Sequence, residues 1–287
     1  MEAVVDFALR GAEALRVTFI GLIAPAIFFF SIGLLAKRKQ LFSDMRRAAK
    51  ESGLNASILI FNTALLLPII SIASVATSDI AGWIGISDFG RSFWTGLTPG
   101  LVIFMAVFWG DFVGYWRHRL EHSPLLWPSH AVHHSDTEMT WLTLERFHPI
   151  NRITTFLIDS TALLALGFPP YAVVANNLVR HYYGYFIHAD LPWTYNRWSL
   201  VFVSPAMHRW HHAADPRAFD TNFATVFSIF DRIFGTYRVP GPCDVPLGVT
   251  DKMAPTLIGQ MGYAFTPRAY ARVRWPRSNG SKLNSSD

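Results

Sequence analysis

The sequence predicts an all-α, polytopic membrane protein with about four transmembrane helices and a cytoplasmic, histidine-rich helical cap. Of its 287 residues, 51% are hydrophobic and only 16% are charged, whereas a soluble domain carries about a quarter charged residues. Long apolar runs recur along the chain, bordered by basic or turn-forming residues. Eight of the eleven histidines fall in three short clusters outside the first two runs. These observations together indicate a membrane protein with a polar, histidine-rich end.

The first apolar run extends from Val17 to Ala36 and contains no charge. Twenty helical residues span about 30 Å, the thickness of the hydrocarbon core of a bilayer. The basic residues Lys37, Arg38 and Lys39 follow this run directly. A signal peptide would instead have its basic residues in front. We therefore predict a retained transmembrane helix.

Three further elements complete the predicted membrane region. The second span, Ser52–Ser78, is uncharged, and the third, Phe93–Trp116, has Asp111 near its end. A fourth run begins near Ile153, breaks at Gly167–Pro170, and is followed by apolar residues that return toward His188. Glycine and paired prolines end helices and favour tight turns. The fourth and fifth runs are therefore expected to form a helical hairpin.

The loops between the spans predict the orientation of the chain. Residues 37–50 carry six lysines and arginines, whereas residues 79–92 carry two aspartates and one arginine. Because cytoplasmic loops are enriched in basic residues, the first loop is expected in the cytoplasm. Counting the crossings places residues 117–152, and everything after His188 including the C-terminus, on that same side. This orientation follows from lysine and arginine alone, yet it places all three histidine clusters on the same side of the membrane.

The charge and cysteine content exclude several functional classes. The net charge is +5, but the basic residues flank apolar runs, which favours a bilayer rather than a nucleic acid as the partner. Cys243 is the only cysteine. It excludes an internal disulfide, a cysteine-based zinc site and an iron–sulfur cluster held by this chain alone.

The three histidine clusters read HRLEH, HAVHH and HRWHH. Residues three or four apart share a helix face, so each cluster can direct two imidazoles to one point. Neutral imidazole is a strong ligand for iron, zinc and copper, and Pro124 and Pro128 predict a turn that folds the second cluster toward the first. The candidate metal ligands are His118, His122, His130, His133, His134, His208, His211 and His212.

Three alternatives compete with a two-metal site. The histidines could be surface residues near lipid headgroups. Three clusters on one predicted side of the membrane make this interpretation unlikely, because a single histidine pair is common by chance but three clusters are not. HRLEH also matches the H-x-x-E-H motif of zinc peptidases, which predicts a membrane zinc hydrolase using His118, Glu121 and His122. A single zinc ion needs three protein ligands and leaves two clusters unexplained. A non-catalytic metal-binding or transport protein would place its ligands near the middle of the membrane.

A family resemblance is carried by five sequence motifs: DFVGYWRHRLEH, RFHP, SPAMHRWHH, DTNF and FDRIFGTYRVP. Between roughly residues 105 and 240 the sequence resembles the fatty acid hydroxylase/sterol desaturase superfamily of integral-membrane di-iron oxygenases. The resemblance implies two non-haem iron ions and the use of O2 to hydroxylate or desaturate a lipid or sterol-like substrate, with no catalytic residues beyond the metal ligands. We expect three regions: N-terminal transmembrane helices (1–92), which match the family only in character, a di-iron catalytic domain (93–240) and a cytoplasmic tail (241–287).

The resemblance also assigns expected roles to individual residues. The eight cluster histidines correspond to the family's ligands, and His188 in FIHADLP to a further one. His181 is a possible ligand, because it precedes His188 by seven residues and so shares its helix face. Asp111, His148 and Asn222 are expected near the site, where they could orient the ligands.

Electrons are expected to come from a separate protein. The sequence contains no G-x-G-x-x-G fingerprint, and one cysteine cannot hold an iron–sulfur cluster. A ferredoxin, a cytochrome or a flavin reductase is therefore the expected donor. The substrate is expected to enter laterally from the bilayer into an apolar groove between the spans.

Overall fold

The computed structural model describes residues 2–83, 85 and 91–271. Within these ranges the chain forms helices and two isolated β-bridges, without a β-strand. The predicted all-α class is therefore confirmed. The polar C-terminal segment RSNGSKLNSSD, residues 277–287, has a composition that predicts disorder, and it lies outside the described residues.

The helices fall into an N-terminal set and a set of shorter elements around the histidines. The first set is α1 (Glu2–Lys37), α2 (Gln40–Trp83), α3 (Arg91–Thr95), α4 (Pro99–Glu121) and α5 (Trp127–His134). The second set is α6 (Pro149–Thr155), α7 (Thr161–Ala165), α8 (Pro170–His188), α9 (Pro205–His211), α10 (Ile229–Ile233), α11 (Leu257–Tyr263) and α12 (Pro267–Ala271). Two 3-10 turns, Trp141–Glu145 and Asn196–Leu200, and a π-helical turn, Phe156–Ser160, connect them.

Three of the described helices are long and apolar enough to cross a membrane. These segments are Val4–Lys37, Gln40–Thr77 and Pro99–Glu121, which agrees with a polytopic membrane protein. The predicted hairpin is present as α6–α7 and α8, joined by a turn in which Gly167 has a positive φ of 66°. Neither arm of the hairpin is among the three membrane-spanning candidates. The arms are short, and they carry the charged residues Asp159 and Arg180.

The predicted limits of the third span were wrong at both ends. Phe93 belongs to the separate helix α3, and α4 begins only at Pro99, a residue well suited to the first helical turn. At its other end α4 continues past Trp116 to Glu121. Hydropathy alone placed the boundary too early, because the helix continues into residues that are polar but buried.

Opposite ends of the bundle are fastened by different contacts. At the histidine end, Lys37 is paired with both Asp44 and Asp190, so the α1–α2 turn lies beside the residues that follow α8. At the other end, Trp94 of α3 stacks on Phe168 of the hairpin turn with 4.0 Å between ring centroids. The basic first loop and the C-terminal end of α8 thus lie at one end of the bundle, and α3 at the other.

Close packing of α4 on α8 sets the frame for the site. Gly110 and Gly114 lie on the face of α4 that meets α8, where an added Cβ would overlap the side chains of Asn176 and Arg180 respectively. A buried apolar cluster that includes Val107 joins α4 to α8, α9 and α10. Small residues at such positions allow membrane helices to approach closely.

Candidate metal centre

Nine histidines form two groups at one end of the bundle. In each group, one ring nitrogen per residue lies within 4.8 Å of the corresponding nitrogens of the others. Segments as distant in sequence as α4 and α9 therefore converge. The first group is His118, His122, His130, His134 and His211, and the second is His133, His188, His208 and His212.

Two short helices each contribute ligands to both groups. On α5, His130 and His134 are four residues apart and face the first group, while His133 faces the second. On α9, His208 belongs to the second group and His211 to the first. The H-x-x-H-H pattern thus places imidazoles on two neighbouring helix faces. Ser204 fixes the start of α9 by accepting a hydrogen bond from the backbone N–H of Met207 at 3.1 Å.

Burial keeps these rings neutral. Desolvation lowers the pKa of the α5 and α9 histidines well below the ordinary value, and repulsion from neighbouring imidazoles lowers it further. Neutral imidazole is the form that binds a metal ion. The environment therefore favours the ligating form of these side chains at neutral pH.

Backbone carbonyls fix which ring nitrogen is free. Nδ1 of His118 donates to the carbonyl of Phe223, Nδ1 of His211 to that of Thr221, and Nδ1 of His188 to that of Gly184, each at 2.7 Å. Because a carbonyl can only accept, each Nδ1 carries the hydrogen and each Nε2 presents a lone pair. Nε2 of His211 is buried without a hydrogen-bond partner. The lone pairs are therefore directed into the groups.

Hydrogen bonding cannot satisfy the second group by itself. Nε2 of His188 lies 3.1 Å from Nε2 of His133 and 2.9 Å from Nε2 of His208, which in turn lies 3.2 Å from Nε2 of His212. Since Nε2 of His188 carries no hydrogen, both neighbours would have to donate to it. Nε2 of His208 then has no lone pair left to accept a hydrogen bond from His212. A cation at the meeting point of these nitrogens would bind the Nε2 lone pairs of all four rings.

The separations between ring nitrogens also fit a shared cation. In the first group, Nε2 of His130 lies 3.1 Å from Nε2 of His118 and 3.2 Å from Nε2 of His134. Two imidazole nitrogens bound at right angles, each about 2.1 Å from one ion, lie about 3.0 Å apart. The donor chemistry and the spacing of both groups therefore suit a transition-metal ion.

Glu121 lies behind the first group rather than inside it. Its carboxylate accepts hydrogen bonds from Arg117 and Thr154, both at 2.7 Å, and lies 3.6 Å from Nδ1 of His130. That nitrogen is on the side of the ring opposite Nε2, which faces the other histidines. A general base for a zinc-bound water would have to face the metal. This position disfavours the zinc hydrolase alternative.

Asp111 contacts a backbone segment instead of a histidine. Its carboxylate accepts hydrogen bonds from the backbone N–H groups of Thr225, Val226 and Phe227, at 3.2, 3.0 and 2.8 Å. These residues follow Phe223, whose carbonyl holds His118. Asp111 thus acts on the site through the backbone that surrounds it.

Three other residues singled out in the sequence belong to neither group. Nε2 of His148 donates to the carbonyl of Met261 at 3.0 Å, and Asn222 accepts the backbone N–H of Arg238 at 2.8 Å within a turn. His181 lies 3.6 Å from Glu145, and its side chain is 41% exposed. Seven helical residues advance about 10 Å along a helix, so His181 is displaced along α8 from the group that contains His188.

Sequence reasoning missed the carboxylates that hold the first group. Asp220 lies 3.2 Å from Nδ1 of His122, and Glu121 stands beside His130. In the sequence, Glu121 and Asp220 are two of several carboxylates near the clusters, and an interface charge or a helix cap was the favoured interpretation. No spacing rule connects Asp220 with His122, 98 residues earlier in the chain. Asp159, an intramembrane charge without an obvious partner, is bound by Arg117 at 2.9 Å and by Arg180 at 2.8 Å.

A cavity of about 540 Å³ reaches both groups. It is bounded by α1, α2 and α8 and is lined by apolar residues such as Leu22, Leu59 and Leu66. One wall carries the ion pairs of Asp159 with Arg117 and Arg180. A pocket of this size can hold a large part of a lipid-sized molecule. Six histidines line it: His118 and His130 of the first group, His133, His188 and His208 of the second, and His181, which belongs to neither group.

Comparison with known proteins agrees with this architecture. The chain is 29% identical over 176 residues to the ornithine lipid hydroxylase OlsE of Rhizobium tropici, covering 61% of the chain and 51% of that relative. It is 29% identical over 182 residues to the alkylglycerol monooxygenase of Danio rerio, covering 61% of the chain and 40% of that relative. With the delta(7)-sterol 5(6)-desaturase erg3C of Aspergillus fumigatus the identity is 28% over 188 residues, covering 56% and 54% respectively.

The chain spans about half the length of these curated relatives. No solved structure matches it. Residues 103–236 match the fatty acid hydroxylase family, and this range contains all nine histidines of the two groups. The resemblance to the fatty acid hydroxylase/sterol desaturase superfamily therefore rests on this domain, which is just under half of the chain.

Proposed function

We propose that the protein is a membrane oxidoreductase that uses O2 to hydroxylate a lipid, or to desaturate it, with one iron ion in each histidine group. The observation that carries the proposal is a single cavity lined by histidines of both groups. The relatives named as an ornithine lipid hydroxylase and an alkylglycerol monooxygenase support a lipid as the substrate.

Iron is the metal that this family uses, and neutral imidazole suits it. Bound iron would supply the reduction of O2 and the oxidation of the substrate C–H bond. His118, His122, His130, His134 and His211 would hold one ion, and His133, His188, His208 and His212 the other.

The protein's own residues orient the ligands and position the lipid. Carbonyls of Phe223, Thr221 and Gly184 hold three imidazoles in the tautomer that leaves Nε2 free. Leucines of α1 and α2 line the cavity and would contact the hydrocarbon chain while excluding water. The protein thus keeps the reactive carbon near both groups in a largely apolar space.

Further partners and the orientation belong to the same proposal. A separate ferredoxin, cytochrome or flavin reductase would supply electrons, and O2 would be the second substrate. The histidine end and the C-terminus would face the cytoplasm, as the basic residues of the first loop predict. Residues 93–240 would form the catalytic domain, and residues 1–92 would close the cavity toward the bilayer.

Metal analysis and lipid analysis test this proposal together. Protein purified under reducing conditions is expected to contain two irons per chain, and cells that produce it under ¹⁸O₂ should accumulate a lipid with one labelled hydroxyl group. An alkene without label would indicate desaturation within the same proposal. One zinc ion per chain with hydrolysed lipid, or variable metal content without a modified lipid, would contradict it and support the hydrolase or the metal-binding alternative.

A further inference from the structure

The two histidine groups differ in what lies behind their rings. In the first group a carboxylate stands beside two of the five rings: Asp220 at 3.2 Å from His122 and Glu121 at 3.6 Å from His130. In the second group, His188 donates to a carbonyl, and Nδ1 of His133, of His208 and of His212 has no hydrogen-bond partner. Among the described residues, no carboxylate forms an ion pair with a ring of the second group, and Asp136 and Glu145 act on His188 only from a greater distance. The groups are therefore chemically inequivalent.

Glu121 is held in place by contacts on both of its oxygens. Oε1 accepts the hydroxyl of Thr154 at 2.7 Å, and Oε2 accepts Nη1 of Arg117 at 2.7 Å. The Glu121 side chain is 1% exposed. A buried carboxylate with two fixed donors has little freedom to turn away from its neighbours.

The support for Glu121 extends across the bundle. Nε of Arg117 donates to Asp159 at 2.9 Å, and the same carboxylate accepts Nη1 of Arg180 on α8 at 2.8 Å. A continuous chain of charged side chains therefore connects α8, the π-helical turn, α4 and Nδ1 of His130. Buried charges in a membrane protein are costly and are retained where they serve the site.

Asn151 completes the environment of His130. Its side-chain amide lies 3.3 Å from Nδ1 of His130, while its Oδ1 is buried without a partner. Exchanging the amide oxygen and nitrogen, which occupy equivalent positions, lets Oδ1 accept from Nδ1–H. His130 then donates Nδ1–H to Asn151, has the Glu121 carboxylate 3.6 Å from the same nitrogen, and presents the lone pair of Nε2 to the group.

We propose that Glu121 is a positioning residue for His130, and that it makes the five-histidine group the tighter of the two metal positions. A carboxylate behind an imidazole fixes its tautomer and raises its basicity as a ligand. Arg117, Thr154 and Asp159 act by holding that carboxylate. The inference rests on the proposed metal centre, but not on its reaction.

Cobalt(II) titration of metal-free, full-length protein in detergent tests the proposal, because Co²⁺ reports its coordination by visible absorption. Wild-type protein is expected to show two binding events of unequal affinity. Glu121→Gln should weaken the tighter event by about 10- to 100-fold and leave the weaker one unchanged. Thr154→Val keeps the charge and removes one hydrogen bond, so it should weaken the same event by a smaller factor.

The control is Glu138→Gln, which removes a carboxylate paired with Arg47 near the surface and should leave both events unchanged. Wild-type affinities and spectrum in Glu121→Gln, or equal weakening of both events, would overturn the proposal. If Glu121→Gln does not fold, Thr154→Val decides by the same criterion. Lipid oxidation by the iron-loaded protein is measured separately: two Co²⁺ events without oxidation would refute the proposed reaction and leave this inference standing.

Discussion

At the scale of single residues, the ligand set depends on which imidazole nitrogen the surroundings leave free. The clusters were predictable from the sequence because residues three and four apart share a helix face, and His188 was expected only from the family resemblance. The acceptors behind the rings were not predictable. Phe223 and Asp220 reach their histidines only once α4 and the segment after α9 have packed together, and Glu121 reaches His130 only once α5 has packed against the end of α4.

The two candidate ligands of α8 give a matched pair of substitutions. We expect His188→Ala to lose at least about 10-fold in affinity for one metal ion, because three lone pairs remain in its group. His181→Ala should retain wild-type metal content, since His181 is partly exposed and belongs to neither group. Iron content after equilibrium dialysis measures both. Equal loss in the two variants would contradict the assignment of these residues.

At the scale of secondary-structure elements, hydropathy located the long helices but not their ends. The apolar part of α4 was recognised, whereas its continuation to Glu121 was not, because polar side chains there are buried by contacts from α6 and from the segment around Phe223. The π-helical turn at Phe156–Ser160 left no signal in the sequence. It places Asp159 between Arg117 and Arg180, a tertiary arrangement that periodicity does not encode.

The contact between α4 and α8 predicts a strong dependence on one glycine. Gly110→Ala should destabilise the protein by about 1–3 kcal/mol, because the added methyl group overlaps the buried Asn176 side chain. Gly100→Ala on the same helix is the control, since nothing lies within 4 Å of its added Cβ. Thermal unfolding in one detergent, at matched protein concentration, compares the two. An unfolding temperature of Gly110→Ala equal to that of the control would show that α8 does not pack this closely.

At the scale of the whole molecule, the N-terminal helices are part of the site. Residues 1–92 resembled the superfamily only in character, yet α1 and α2 form a wall of the cavity. Arg146, which is buried beside the end of α5, is bound by Glu51 of α2 at 2.5 Å. The family match covers residues 103–236, so the shape of the cavity depends on a part of the chain that the match does not include.

Gly21 of α1 offers a direct test of that cavity. It lines the cavity, and nothing lies within 4 Å of an added Cβ. We expect Gly21→Phe to fold and to bind metal normally while turnover falls at least about 10-fold, because the ring occupies space that the lipid needs. Gly100→Phe, on an exposed part of α4, should leave turnover unchanged. Full activity of Gly21→Phe would show that the substrate binds elsewhere.

The orientation of the whole molecule can be tested with single cysteines. Cys243 is the only native cysteine, so Cys243→Ser provides a background for Ser43→Cys and Ser92→Cys, both at exposed positions. The six basic residues within 37–50 predict that position 43 faces the cytoplasm, and the acidic loop before Ser92 predicts the opposite side. In sealed right-side-out vesicles, a membrane-impermeant maleimide should label Ser92→Cys alone, and permeabilisation should expose Ser43→Cys. Labelling of Ser43→Cys before permeabilisation would place the histidine end of the bundle outside, because Lys37 and Asp190 are paired at that same end.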